Sequence, residues 1–201
     1  MINLNNLAGT VLATDATLPA IQAAYEYIVA ANGLFIRAED SRMEAMVPIA
    51  LTRPDCMRDL AVVFPYANLK VPKMPAEIAS LIDGIALEHF PDEVLMQFLV
   101  ESGAWHVWVP QQTTTPTSIQ FQDAGTFIVD VHSHGSMNAF FSRTDNADEQ
   151  GLRFYCVVGG LNSEIPQMLC RVGVYGHHMN IPASTLFDDI DPFCDLFGYE
   201  E

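Results

Sequence analysis

Positive charge is what this 201-residue chain has least of: nine Lys and Arg stand against twenty-five Asp and Glu, a formal net charge of −16. Between Val172 and Glu201 there is neither Lys nor Arg. Phosphate binding draws on clustered cations, so this shortage argues against nucleic acid as a partner. A strongly acidic surface steers basic or mixed-charge partners, or simply keeps the chain in solution. Long apolar runs are missing as well; none reaches the roughly 18 residues a membrane-spanning helix needs. The N-terminus lacks the basic and apolar regions of a signal peptide. Cysteine is sparse. The four residues (Cys56, Cys156, Cys170 and Cys194) form no C-x-x-C pair, which suits reduced thiols better than a disulfide framework. The expected setting is the cytoplasm, without membrane contact.

What the chain does have is apolar material: 50% of its residues are hydrophobic, enough for a substantial core. Its length allows one domain of ordinary size plus a smaller module. Pro19 to Ala31 reads as a helix, with Ile21, Tyr25, Ile28 and Val29 at helical spacing and a stop at Asn32-Gly33. Leu34 to Ala38, Ala45 to Leu51 and Leu60 to Phe64 read as strands, with a turn at Arg53-Pro54-Asp55. These make residues 1–73 a small α+β module of opaque role, bounded near Asn68 to Lys73. From Pro75 a second helix is expected, with Ile78, Leu81, Ile82 and Ile85 in its stripe, ending before Pro91. Val94 to Val100 is apolar throughout, as a strand buried on both faces would be. Trp105 to Val109 pairs plausibly with it across Glu101-Ser102-Gly103-Ala104, and its tryptophans read as sheet packing. A polar, Thr-rich loop, Gln111 to Ser118, and a short strand, Ile119 to Phe121, come next. Further strands are expected near Leu152 to Val158 and Met168 to Tyr175.

The chemistry concentrates between Val129 and Asp145, V-D-V-H-S-H-G-S-M-N-A-F-F-S-R-T-D. A strand from Thr126 to Val131 runs into a loop and then a helix starting at Ser142. Side chains two apart in a strand share a face, so His132 and His134 can converge on one ion. Two imidazoles and a carboxylate are a usual ligand set for catalytic Zn²⁺, which leaves a fourth position open. Asp145, in the first helical turn, completes that set if the loop folds back. Ser142-x-x-Asp145 also reads as a capping box, and both readings hold together if the cap fixes Asp145.

This stretch resembles the JAMM (JAB1/MPN/Mov34) metalloprotease signature, H-[ST]-H-x7-S-x-x-D, at every fixed position. The signature expects an upstream glutamate in a P-x-E segment before an apolar strand, and Pro91-Asp92-Glu93 fits; Glu101 is the fallback. The glycines usual after that glutamate are missing, and Gly135 stands where many members have proline. For residues 74–201 the resemblance implies an α+β or α/β domain of the JAMM (cytidine-deaminase-like) fold, a central mixed sheet with flanking helices and an acidic tail. It implies Zn²⁺ on His132, His134 and Asp145, Glu93 as general base, and Ser142 as hydrogen-bond donor to the oxyanion. Implied too is a substrate amide at the C-terminal tail of a ubiquitin-like protein or its conjugate, with an adenylating-enzyme-like (ThiF/E1-like) protein as a further partner. The motif's surroundings and the N-terminal module are similar to a narrower family, the system A proteins of the plasmid-borne ParB-related, thioredoxin-related cassette.

Rival readings stay beside these. Asp130-Val131-His132-Ser133-His134 also looks like the D-x-H-x-H opening of amidohydrolase barrels, but such a barrel needs about 250 residues. Only 67 residues follow His134. A JAMM-fold scaffold that holds metal poorly and binds partners is the non-enzymatic alternative. His177-His178 reads as a surface or rim pair, because adjacent strand side chains point apart. Asp191-Pro192 could open a short helix carrying Phe193, Leu196 and Phe197, docked back on the fold or held out as a partner-binding tail or lid.

Overall fold

Period-two alternation, rather than the helical period, governs the N-terminal part of the chain. A computed structural model describes residues 7–54, 57–115, 118–121, 125 and 127–198. Its two compact units are residues 1–70, 149–152 and 172–179, and residues 71–148, 153–171 and 180–201. It is a mixed α+β protein, mostly sheet with few helices.

In the first unit five strands pair in chain order: β1 (Ala8–Leu12), β2 (Tyr25–Ala30), β3 (Gly33–Glu39), β4 (Met43–Leu51) and β5 (Tyr66–Leu69). The helix expected over Pro19 to Ala31 is therefore wrong; its second half is β2, and no helix occurs among the described residues up to Leu69. Tyr25, Tyr27, Ile28 and Val29 favour a pleated surface, and burial alternates along β2, with Glu26, Ile28 and Ala30 inward. Asn32-Gly33 closes a hairpin instead of stopping a helix, and a Cβ on Gly33 would meet the Ala50 carbonyl oxygen at 2.2 Å. Glu26 and Arg37 face each other across β2 and β3 and form a buried ion pair at 2.6 Å. Ile28, Ala30, Phe35, Met46 and Val63 form a core cluster in this unit. Leu60 to Phe64 is not a strand; the last strand comes later, as β5, and runs into the expected boundary at Asn68. Asp55 and Cys56, from the expected turn and the cysteine set, lie outside the described residues.

The large sheet is built on β6 (Leu95–Glu101), β7 (Ala104–Trp108), β10 (Val129–Ser133), β11 (Leu152–Gly159), β12 (Gln167–Val174), β13 (His177–Ile181) and β14 (Cys194–Asp195). Its order is β13-β12-β11-β10-β6-β7, with β14 beside β12. It is mixed: β10 runs parallel to β11 and antiparallel to β6. Ser102 and Gly103 join β6 to β7 with φ of 53° and 81°, the double positive φ of a tight hairpin. Trp105 donates from its indole nitrogen to the Pro72 carbonyl at 2.9 Å, whereas Trp108 is largely exposed rather than packed.

Helix α1 (Ala76–His89) starts after Pro75 and ends before Pro91, as expected. Its buried stripe is Ala79, Ile82 and Ala86, with Leu81 turned to solvent. The Thr-rich segment forms a hairpin of β8 (Gln112–Thr115) and β9 (Ser118–Phe121) in place of a loop. Helix α2 (Arg143–Asp148) crosses from β10 to its parallel neighbour β11. The expected C-terminal helix is absent. Phe193 is buried, and β14 adds to β12, with Cys194 and Leu196 donating to the Pro166 and Met168 carbonyls. The last residues of the tail, 199–201, lie outside the described residues.

Candidate metal centre

The site forms where β10 ends. In α/β sheets the carboxyl ends of parallel strands, facing the next helix N-terminus, are the usual place for polar chemistry. Val129, Val131 and Ser133 occupy one face of β10; Asp130, His132 and, just beyond the strand, His134 alternate with them. Thr126, the first residue of the expected strand, lies outside the described residues.

The two imidazoles meet. Their Nε2 atoms are 3.1 Å apart, and His132 Nε2 is 3.7 Å from Asp145 Oδ1. The ligand atoms of His132, His134 and Asp145 all lie within 4.8 Å of one another, the one group of metal-ligand type among the described residues. Tetrahedral ligands about 2.0–2.1 Å from zinc stand ~3.3 Å apart, so the trio can close on that ion by drawing Asp145 toward the histidines. His134 Nδ1 lies 3.3 Å from the Asn138 carbonyl oxygen. Donation there puts the proton on Nδ1 and turns the Nε2 lone pair to the centre, the usual support for a ligating histidine.

Asp145 divides its two oxygens. Oδ2 accepts the Ser142 amide at 2.5 Å, and the Asp145 amide donates to Ser142 Oγ at 3.2 Å, a reciprocal cap. Oδ1 is left for the histidines. The capping and ligand readings are thus compatible in one carboxylate. Ser142 Oγ accepts from the Asp145 amide, so its own proton remains available to donate.

Glu93 sits just before β6 and is 6% exposed. Burial, then the nearby Asp145 carboxylate, push its carboxyl up to about 7. Two backbone ties hold it: its amide donates to the Thr115 carbonyl at 3.0 Å, and the neighbouring Val94 exchanges bonds with Ser133. Ser133 donates its amide to Val94 O and accepts the Val94 amide on Oγ, both at 3.0 Å. The middle serine of H-S-H therefore stitches the Glu93 segment to the end of β10. Glu101, the fallback, is exposed at the opposite end of β6 beside Ala104, roughly 20 Å along the strand from Leu95.

Burial, Asp145 notwithstanding, lowers His132 to about 4, with the His134 and Arg171 charges adding to the effect. Burial also lowers His134, against the Asn138 carbonyl and Asp145. Burial would raise Asp145, but His132, the Ser142 bonds and His134 outweigh it and hold the carboxyl below its ordinary value. Neutral imidazoles beside an ionised carboxylate are the protonation states that bind a divalent cation. Asp130, the first residue of the D-x-H-x-H pattern, accepts from Arg153 and from Gln97 Nε2. His177 and His178 lie on β13, where His178 Nε2 is 3.3 Å from the Glu149 carbonyl oxygen.

Glycines frame the site in ways the motif does not announce. Gly135 has φ +54°, which proline cannot adopt, and a Cβ there would meet the Pro91 carbonyl oxygen at 2.8 Å. That close approach brings the His134 loop against the Glu93 turn. A Cβ on Gly159 would stand 2.5 Å from both the Ala139 nitrogen and the Met137 oxygen. Gly160 donates to the Met137 carbonyl at 2.6 Å and Gln167 Oε1 accepts the Ala139 amide at 3.0 Å, so β11 and β12 hold the loop that supports His134. Gly159-Gly160 at the end of an apolar strand was the one sequence signal for this cradle.

No curated protein matches the chain. A family model of prokaryotic homologs of the JAB domain matches residues 72–171. That span contains Glu93, Ser133 and Ser142 as well as the converging trio His132, His134 and Asp145, and by it the chain belongs to the prokaryotic JAB family.

Proposed function

We propose that the protein is a zinc-dependent JAMM-type peptidase or isopeptidase that hydrolyses an amide bond at the C-terminal tail of a ubiquitin-like protein or its conjugate. The observation that carries this reading is the meeting of His132, His134 and Asp145 beside a buried glutamate outside the trio. His132, His134 and Asp145 would hold Zn²⁺. When bound, the ion supplies a Lewis acid that polarises the scissile carbonyl and acidifies water. Glu93, with a carboxyl near neutrality, takes a proton from the attacking water and returns it to the departing nitrogen. Base help of this kind is worth about 10²–10⁴-fold. Ser142 donates its hydroxyl proton to the carbonyl oxygen as negative charge develops there. Burial keeps both histidines neutral, and the Asn138 contact turns the His134 Nε2 toward the centre.

The partners follow the same reading: a ubiquitin-like protein as substrate, and an adenylating-enzyme-like protein as neighbour. A basic tail would be drawn to a chain of net charge −16. A place in the plasmid-borne cassette as its system A protein, and a bacterial cytoplasm, extend the proposal. Cys156 and Cys170 share a hydrogen bond between their sulfurs, an arrangement of thiols that suits a reducing compartment, and no helix among the described residues is long and apolar enough to cross a membrane. The scaffold alternative drew on Gly135 and on the glycines missing after Glu93; Gly135 has its own reason in the contact with Pro91.

The test is cleavage of a fluorogenic ubiquitin-like C-terminal amide by metal-stripped and zinc-reloaded protein. Activity that returns with zinc and falls at least about 100-fold in Glu93→Gln supports the reading. Zinc-loaded protein that cleaves neither this substrate nor a partner conjugate overturns it.

A further inference from the structure

Helix α2 carries Asp145 in its first turn, yet it is six residues long and none of them is buried. So short a helix has little stability of its own, and without a buried face it gains little from packing. Arg171, on β12 and 4% exposed, reaches it from the sheet. Its Nη1 donates to Asn146 Oδ1 at 2.6 Å, and its guanidinium carbon lies 3.7 Å from the centre of the Phe141 ring. The Asn146 amide donates in turn to the Ser142 carbonyl at 3.2 Å. One side chain therefore grips the chain on both sides of the Ser142–Asp145 cap. A planar guanidinium stacks on a ring and donates in its own plane together; an ammonium does not.

We propose that Arg171 is a positioning residue that clamps α2 to the sheet and so sets Asp145 for the metal. The proposal rests on the zinc reading above. Without the clamp the two histidines keep their strand-end positions, but the third ligand loses its fixed place. Linkage makes the effect reciprocal, so metal should tighten α2 as much as the clamp tightens metal binding.

Zinc affinity measured by competition with a chromophoric chelator tests this, paired with amide hydrogen exchange of the metal-free protein. Arg171→Met, which keeps an apolar stem on Phe141, is expected to weaken zinc about 10–100-fold. Asn146→Ala, at an exposed position, should weaken it in the same direction by a smaller factor. Combined with Arg171→Met it should add little, because both remove one contact. Arg171→Lys should not restore affinity. Exchange should quicken across 143–148 while the amides of β6 and β10 keep their protection. A residue that merely stabilised the sheet would loosen those strands and leave the affinity of the folded protein alone. Should Arg171→Met fail to fold, Asn146→Ala decides. Wild-type affinity and wild-type exchange over 143–148 in the folded variants overturn the clamp while leaving the zinc site intact. A wild-type protein that takes up no zinc removes the underlying reading, and the clamp's role in metal binding with it.

Discussion

At the scale of single residues, the site works by giving each polar atom one task. Asp145 spends Oδ2 on its own helix cap and keeps Oδ1 for the centre; His134 spends Nδ1 on Asn138 and keeps Nε2. Glu93 has a different problem. It is buried beside another carboxylate, so the fold favours its neutral form. The penalty for ionising it is absent below the unfolded value of 4.5, grows as pH rises, and is complete above about 7. In metal-free protein Glu93→Gln should therefore raise unfolding stability above pH 7, by at most roughly 3 kcal/mol, and leave it unchanged near pH 4. Urea unfolding at the two pH values checks this; equal effects at both would contradict it. The convergence of His132, His134 and Asp145 was legible in the sequence because strand alternation and the helix cap fix their spacing locally. Asn138 and Gln167 were not, because their contacts with the loop leave no periodic trace, and Gly159 showed only as one of a glycine pair ending an apolar strand.

At the scale of elements, the reading succeeded where one period dominated. α1 and the β6–β7 hairpin follow their apolar patterns and turn residues closely. The stretch ending in Tyr25 to Ala30 satisfied both periods at once. The sheet won, because Glu26 has its partner Arg37 directly opposite and Gly33 lets β3 approach β4. The Thr-rich segment became a hairpin for a similar reason: β-branched threonines pair readily, and Thr115 meets the Glu93 amide. Gly159 is the element-scale test. A Cβ there meets backbone atoms on two residues of the His134 loop, so Gly159→Ala must push that loop away from β11. The expected result is a loss of about 1–3 kcal/mol in stability, the scale of overpacking, with zinc affinity reduced alongside. Unchanged zinc affinity in the folded variant would show that the loop gives way without moving His134.

At the scale of the whole chain, the two compact units differ in what they reveal. The first is a five-stranded sheet around a buried ion pair and carries none of the centre's residues. The second holds every residue of the centre, from Glu93 to Asp145. Its C-terminal segment was ambiguous in sequence, since apolar residues among acids suit either docking or display. Docking is what occurs: β14 joins β12, Asp195 Oδ2 accepts the Ala183 amide at 2.8 Å, and Phe193 is 6% exposed. Phe193→Ala should cost about 3–5 kcal/mol in thermal or denaturant unfolding. A loss below about 1 kcal/mol would return the segment to the role of a free tail.

Zinc content is the most direct measurement of all. Protein stripped with chelator, reloaded and dialysed should retain one equivalent of zinc per chain, with X-ray absorption showing nitrogen and oxygen ligands and no sulfur. His132→Ala and Asp145→Ala should each lose the metal while remaining folded. Folded wild-type protein that holds no zinc, or folded variants that hold as much as wild type, would contradict the claim that these three side chains form one metal centre.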